Sequence, residues 1–565
     1  MKLRLSLLVA ALLLSPLTLS AQADLDTRIP ELMRSGEIPG LSIAVIRDGK
    51  LAWSGAFGVR DGTGTLVQKD TVFPAASLSK PVFAYIVLRL AERGVLDLDA
   101  PLWGYLPTDR LQHEERARRI TARHVLSHTT GLPNWGPEKL PLQADPGERF
   151  GYSGEGYVYL QKVIEKLTGK PLADLARQEV FVPLRMTRTS FVWEPAFAEG
   201  GGAVTGMDPF GRPQTIPTDR GANAAASLLT TAEDYARFLI ALLDSRGLKK
   251  ESVDATLSPQ VRIPGRLFDP KSPPGEGEVA WGLGWGLQRG GSSEPFWFWH
   301  WGDNGGFRAW TTTSREKRMG VVYFTNSAQG LSIAEAVASL TVGTSQPAFA
   351  RLGYERHDAP SRVARKEIER AFTQEGSEAG LRRFRDLQAK SPSLVDRDLV
   401  ALLAEYLNET GKAGDAFAVV KLYAEAHPDS AEAHALVADA ALEAGEYELA
   451  LASYQKAGGD REREIRWARE GYEAQKKPPT LNADALRRYA GDYGPRHVRL
   501  EGDTLVYSRD GRPRTFRLRP MGGDTFLFEG MGTFRVRFVS DGEGRITKLI
   551  GVYVDGSEDE SPRDR

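Results

Sequence analysis

The 565-residue chain contains no cysteine. That excludes disulfides, a lipidated N-terminal cysteine and any thiolate metal site. Charge of one sign is also missing: 73 Lys and Arg against 74 Asp and Glu leave a formal net charge of −1. There is no basic excess to bind nucleic acid and no polybasic tail for a membrane surface. After the N-terminus no apolar run reaches the ~20 residues that span a bilayer. Residues 1–23 themselves read as a secretory signal, with Lys2 and Arg4, an apolar stretch from Leu5 to Leu14, and Ala21-Gln22-Ala23 before Asp24. The expectation is an exported protein, secreted or periplasmic, without disulfides. At this length several domains are expected, and 41% apolar residues suffice for large cores.

The stretch that carries chemistry is Ser77-Leu78-Ser79-Lys80, followed by the apolar run Pro81 to Leu88. A hydroxyl and an amine three residues apart at a helix start share one face. The run behind them is too continuous for a surface helix, so the helix is predicted to be buried. Burial favours the neutral form of Lys80, which can then take the proton of a serine hydroxyl. The same pattern recurs at Ser314–Lys317 and Ser453–Lys456, but in a charged turn and a polar helix, without a buried helix behind it.

Other stretches fall into place around this one. Leu41 to Val59 alternates about Asp48-Gly49, a hairpin signal. His124 and His128 lie four apart, but no glutamate follows His124 and no third ligand is evident, so no metal site is predicted and the histidines read as structural. Tyr152 stands in a loop before a helix predicted over Glu155 to Leu167, where a phenol serves as base or relay if nearby cations favour phenolate character. Ser153 is a rival nucleophile, yet Gly151 before it is matched by Glu155 after it, so the glycine-flanked elbow fails. Six of the eleven tryptophans fall between Trp281 and Trp310, including the predicted strand Phe296 to Trp301 that ends near His300 and the turn Gly302 to Gly306.

From 362 to 475 the composition turns helical, and Gly411-Lys412-Ala413 and Gly445-Glu446-Tyr447 begin related segments 34 residues apart, the tetratricopeptide period. Lys477-Pro478-Pro479 reads as a linker. Six short β segments between Val498 and Val554 predict a small antiparallel domain over 480–555, and the acidic tail 556–565 reads as disordered.

Region 24–350 resembles the beta-lactamase-related serine hydrolases, which include class C beta-lactamases, penicillin-binding proteins, D-aminopeptidases and esterases. Three landmarks carry the likeness in order: Ser77-Leu78-Ser79-Lys80, Tyr152-Ser153-Gly154 and His300-Trp301-Gly302. The resemblance implies an α/β (α+β) domain with an antiparallel sheet and an all-α lobe, followed here by α-helical repeats and a lipocalin-like β domain. It implies Ser77 as nucleophile, Lys80 and Tyr152 as proton shuttle, and His300 facing substrate. It further implies an oxyanion hole from the backbone of Ser77 and Asp303, with Trp301, Gly302 and Gly154 at the substrate. No cofactor is implied. Gly154 replaces the family's usual asparagine and His300 the lysine of beta-lactamases, which favours an esterase or peptidase. The alternatives are a beta-lactamase or D-alanyl carboxypeptidase, and a non-catalytic scaffold whose helical repeats bind a protein partner.

Overall fold

The computed structural model describes residues 16–269, 271–344 and 346–564. The chain divides into two compact units, Met1–Ala359 and Pro360–Arg565. Residues 1–15 of the expected signal lie outside the described residues; Pro16–Gly36 is a helix.

The first unit is built on an eight-stranded antiparallel sheet. From edge to edge its strands are Lys50–Gly58, Gly40–Arg47, Met319–Thr325, Arg308–Ser314, Trp297–Asp303, Gly286–Arg289, Glu278–Trp281 and Val261–Arg262. Strand alternation sorts side chains onto two faces. Leu41, Ile43 and Val45 enter one core, with Ile29, Ile333 and Val337. Ala44 and Ile46 enter the other, formed largely by the helices Ser79–Glu92, Gly154–Thr168 and Ala232–Leu243. The Asp48-Gly49 hairpin forms as expected, with both residues at positive φ.

The same alternation explains the tryptophan-rich strand. Trp297, Trp299 and Trp301 belong to the first core and Phe298 to the second. His300 therefore shares a face with Phe298, towards the buried helices. Beyond Trp299 the strand loses its neighbour on one side, because pairing with Gly286–Arg289 ends at Trp299–Gly286. Residues 300–303 thus pair only with Arg308–Ser314.

The second unit begins with seven helices from Pro360–Arg370 to Glu462–Lys476. The pair Arg397–Glu409 and Ala413–Ala426 recurs as Ala431–Glu443 and Tyr447–Ala457, each offset by 34 residues. Gly411 and Gly445 occupy equivalent turns at φ 81° and 76°, which an L side chain rarely adopts. An eight-stranded antiparallel meander follows, in sequential order from Gly491–Tyr493 to Glu558–Pro562. Its ends meet where the Asp564 N–H donates to the Asp492 carbonyl at 2.8 Å.

One expectation needs correction. The acidic tail is not disordered: Glu558–Pro562 pairs with Ile546–Tyr553, and Lys548 holds Glu560 at 2.8 Å, so strand pairing outweighs the polar composition. Within the second unit the helices and the β region pack against each other. The Trp467 indole N–H donates to Gly532 O at 2.7 Å, and the Arg535 guanidinium lies 3.7 Å over the Trp467 ring. A Cβ at Gly532 would fall 2.0 Å from Leu442 O, so the strand and the helix Ala431–Glu443 approach backbone to backbone.

Candidate active site

Ser77 lies in the turn between the short strand Phe73–Ala76 and the helix Ser79–Glu92. Ala76 takes φ 49°, a left-handed conformation that costs a non-glycine residue about 1 kcal/mol or more and clusters at functional turns. Ser79 is locked: its hydroxyl donates to Ala76 O at 2.5 Å and accepts the Leu228 N–H at 2.9 Å. Ser77 itself is half-buried.

Lys80 is 1% exposed. Its Nζ donates to Ser77 Oγ at 3.1 Å and to Ala225 O at 2.8 Å. Burial alone brings the amine down to about 7. The apolar run Pro81 to Leu88 behind it is buried throughout. At neutral pH a large fraction of Lys80 is therefore an unprotonated base in contact with an alcohol.

Tyr152 sits with its ring 4.8 Å from Lys80 Nζ. Burial drives its hydroxyl well above the ordinary phenol value, and the contact with Ser77 is the interaction that opposes the shift. Phenolate character, which would require nearby cations to favour it, is opposed here by burial, and the hydroxyl keeps its proton. Burial is the leading cause, and the neighbouring Tyr354 and Asp303 add to it.

His300 is fully buried, with its ring centroid 6.4 Å from that of Tyr152. Nδ1 lies 2.7 Å from Trp301 O, and since a carbonyl can only accept, Nδ1 carries the proton. Nε2 is then a bare acceptor. Burial and the Lys80 charge lower this imidazole to about 3, so it is uncharged. The Trp301 side chain lies on the other face of the strand from Phe298 and is buried, 4.6 Å ring to ring from Tyr152.

Gly302 and Gly154 are both required by close approaches. A Cβ at Gly302 would fall 2.5 Å from Ala75 O, so the end of the Trp297–Asp303 strand lies directly against the turn that carries Ser77. At Gly154 a Cβ would meet the Trp135 ring at 2.7 Å and Asn134 O at 2.9 Å. The indole of Trp135, 53% exposed, covers the place of the family's asparagine side chain.

The remaining sequence candidates are structural. Ser153 caps the helix Gly154–Thr168, accepting the Gly156 N–H and donating to Pro133 O. His124 accepts the Thr121 N–H in a capping box. His128 accepts the Ser153 N–H at 3.0 Å and stacks 4.2 Å from the Tyr152 ring. Sequence reasoning missed Ala225 O, Trp135, Asn304 and Tyr354. Asn304 donates to Ala226 O at 3.1 Å, next to the Lys80 acceptor. Beyond it opens a cavity of about 650 Å³, walled by Trp135, Phe191, Trp193, Ile216 and Phe307, with Arg220 the charged side chain at its margin.

An antiparallel sheet with one strand end set against the turn that opens a buried Ser-x-x-Lys helix defines the class of beta-lactamase-fold serine hydrolases. The chain belongs to the beta-lactamase family, whose model, described as Beta-lactamase, matches residues 25–341. It is similar to Penicillin-binding protein 4 of Amycolatopsis lactamdurans, 29% identical over 39% of this chain and 64% of that protein. It is also similar to Esterase EstB of Burkholderia gladioli, 32% identical over 31% of this chain and 52% of that one. The chain thus spans between about half and two thirds of the length of these relatives. A solved structure, the octameric penicillin-binding protein homologue from Pyrococcus abyssi, aligns with TM-score 0.50 over 94% of this chain and 96% of that one. At 18% identity that likeness concerns the fold.

Proposed function

We propose that the protein is an exported serine hydrolase that cleaves ester or amide acyl bonds through an acyl-Ser77 intermediate. The observation that carries this reading is the 3.1 Å contact between Ser77 Oγ and a buried Lys80 amine brought down to about 7. Neutral Lys80 takes the hydroxyl proton as Oγ attacks the acyl carbon. The oxyanion is received by the backbone N–H groups of Ser77 and Asp303. The leaving group departs with a proton passed from Lys80, directly or through the Tyr152 hydroxyl. Water then repeats the sequence in the second half-reaction, releasing the acid and restoring Ser77.

His300 is neutral and offers an acceptor, so it provides no fixed charge for a substrate carboxylate. Gly154 offers no side-chain amide. Both features favour esters, or amides other than penicillins, and esterase activity is what Esterase EstB is named for. The likeness to Penicillin-binding protein 4 supports the second reading, a beta-lactamase or D-alanyl carboxypeptidase.

A fluorophosphonate probe tests the chemistry. Ser77 is expected to carry the adduct and Ser77→Ala to take none; an unlabelled Ser77 overturns the reading. Turnover of p-nitrophenyl esters against nitrocefin and D-Ala-D-Ala peptides then separates the two substrate classes, with faster ester turnover expected.

A further inference from the structure

The oxyanion role of Asp303 depends on a strand end that has no sheet neighbour on one side. What holds it is its own carboxylate. One oxygen is ion-paired with Arg308 at 2.6 Å, its cross-strand partner. Arg308 is buried, and also donates to Gly305 O and Phe307 O, so it closes the 303–308 turn from inside. The other carboxylate oxygen accepts the hydroxyl of Tyr354 at 2.6 Å.

Tyr354 lies 51 residues downstream, just after the helix Pro347–Leu352 and its left-handed Gly353 cap. Its ring packs against the same core as Tyr152 and Trp301. Burial and the Asp303 carboxylate push its hydroxyl well above the usual phenol value, so it remains an O–H donor throughout the working pH range. Arg308 fixes Asp303 along the sheet, and Tyr354 fixes it from a second direction. With the Gly305 N–H, which donates to the first carboxylate oxygen at 3.3 Å, these restraints bear on the peptide that follows Gly302, the residue that lies against Ala75 O.

We propose that Tyr354 is a positioning residue for the oxyanion hole, acting through the Asp303 carboxylate to aim the Asp303 backbone N–H at the developing charge. This rests on the acyl-Ser77 reading above. A strand end tilted by a few tenths of an ångström still binds substrate but receives the oxyanion poorly, so the loss belongs to kcat and not to KM.

The test compares full-length wild type, Tyr354→Phe, Asp303→Asn and the double variant on a p-nitrophenyl ester, with thermal midpoints and fluorophosphonate labelling of each. Tyr354→Phe is expected to lower kcat about tenfold with KM changed less than twofold and the midpoint nearly unchanged. The double variant should be no slower than Asp303→Asn alone, because both substitutions break one linkage. Unchanged kcat in Tyr354→Phe, a loss confined to KM, or additive losses in the double variant overturn the proposal while Ser77 labelling stands. An unlabelled Ser77 in the wild type removes the acyl-enzyme reading and this proposal with it.

Discussion

Lys80 is where activity and stability oppose each other. A lysine brought to about 7 by burial must be neutral to accept the Ser77 proton. Esterase kcat/KM is therefore expected to fall about tenfold per pH unit below about 7 and to level off above it, as a pH–rate profile will show. The same group costs stability. Its folded value lies below the unfolded 10.5, so between about 7 and 10.5 the unfolded chain binds more protons and stability rises with pH. Lys80→Met should abolish turnover yet stabilise the fold at pH 7 by about 1–2 kcal/mol, the lost bond to Ala225 O offsetting part of the gain. Urea unfolding should show that gain shrinking as pH approaches 10. Ser77 and Lys80 were legible in the sequence because their relation is local, one helical turn. The protonation of Tyr152 was not, since it depends on what distant segments pack around it.

Among the elements, the strand Trp297–Asp303 and the turn at Ser77 have to meet at backbone distance. Gly302→Ala is expected to push them apart, because its Cβ would lie 2.5 Å from Ala75 O. A displacement approaching 1 Å there should cost about a hundredfold in kcat, measurable on any ester that wild type turns over. The strand itself was foreseeable from its aromatic run. Which strand side chains enter which core followed from alternation once the sheet order was known: Trp301 with Tyr152 in one, Phe298 in the other. Trp135 over Gly154 had no sequence signal at all, since an indole in a loop says nothing about the glycine it covers.

Across the whole molecule, the 34-residue spacing of two helix pairs was readable in the sequence, but their packing against the β region was not. That packing runs through Trp467, Arg535 and Gly532. Trp467→Ala should destabilise the Pro360–Arg565 unit by about 3–5 kcal/mol in guanidinium unfolding, as a buried aromatic and its hydrogen bond are lost together. By itself the sequence determined whatever short spans encode: the serine–lysine pair, the buried helix, the hairpin, the helical period and the change to β segments. Tertiary structure alone decided that Lys80 meets Ala225 O, that Tyr152 stays a phenol, that Asp303 is held by Tyr354, and that the acidic tail becomes a strand. Those outcomes depend on which remote groups exclude water from one another, and no local pattern of residues specifies that.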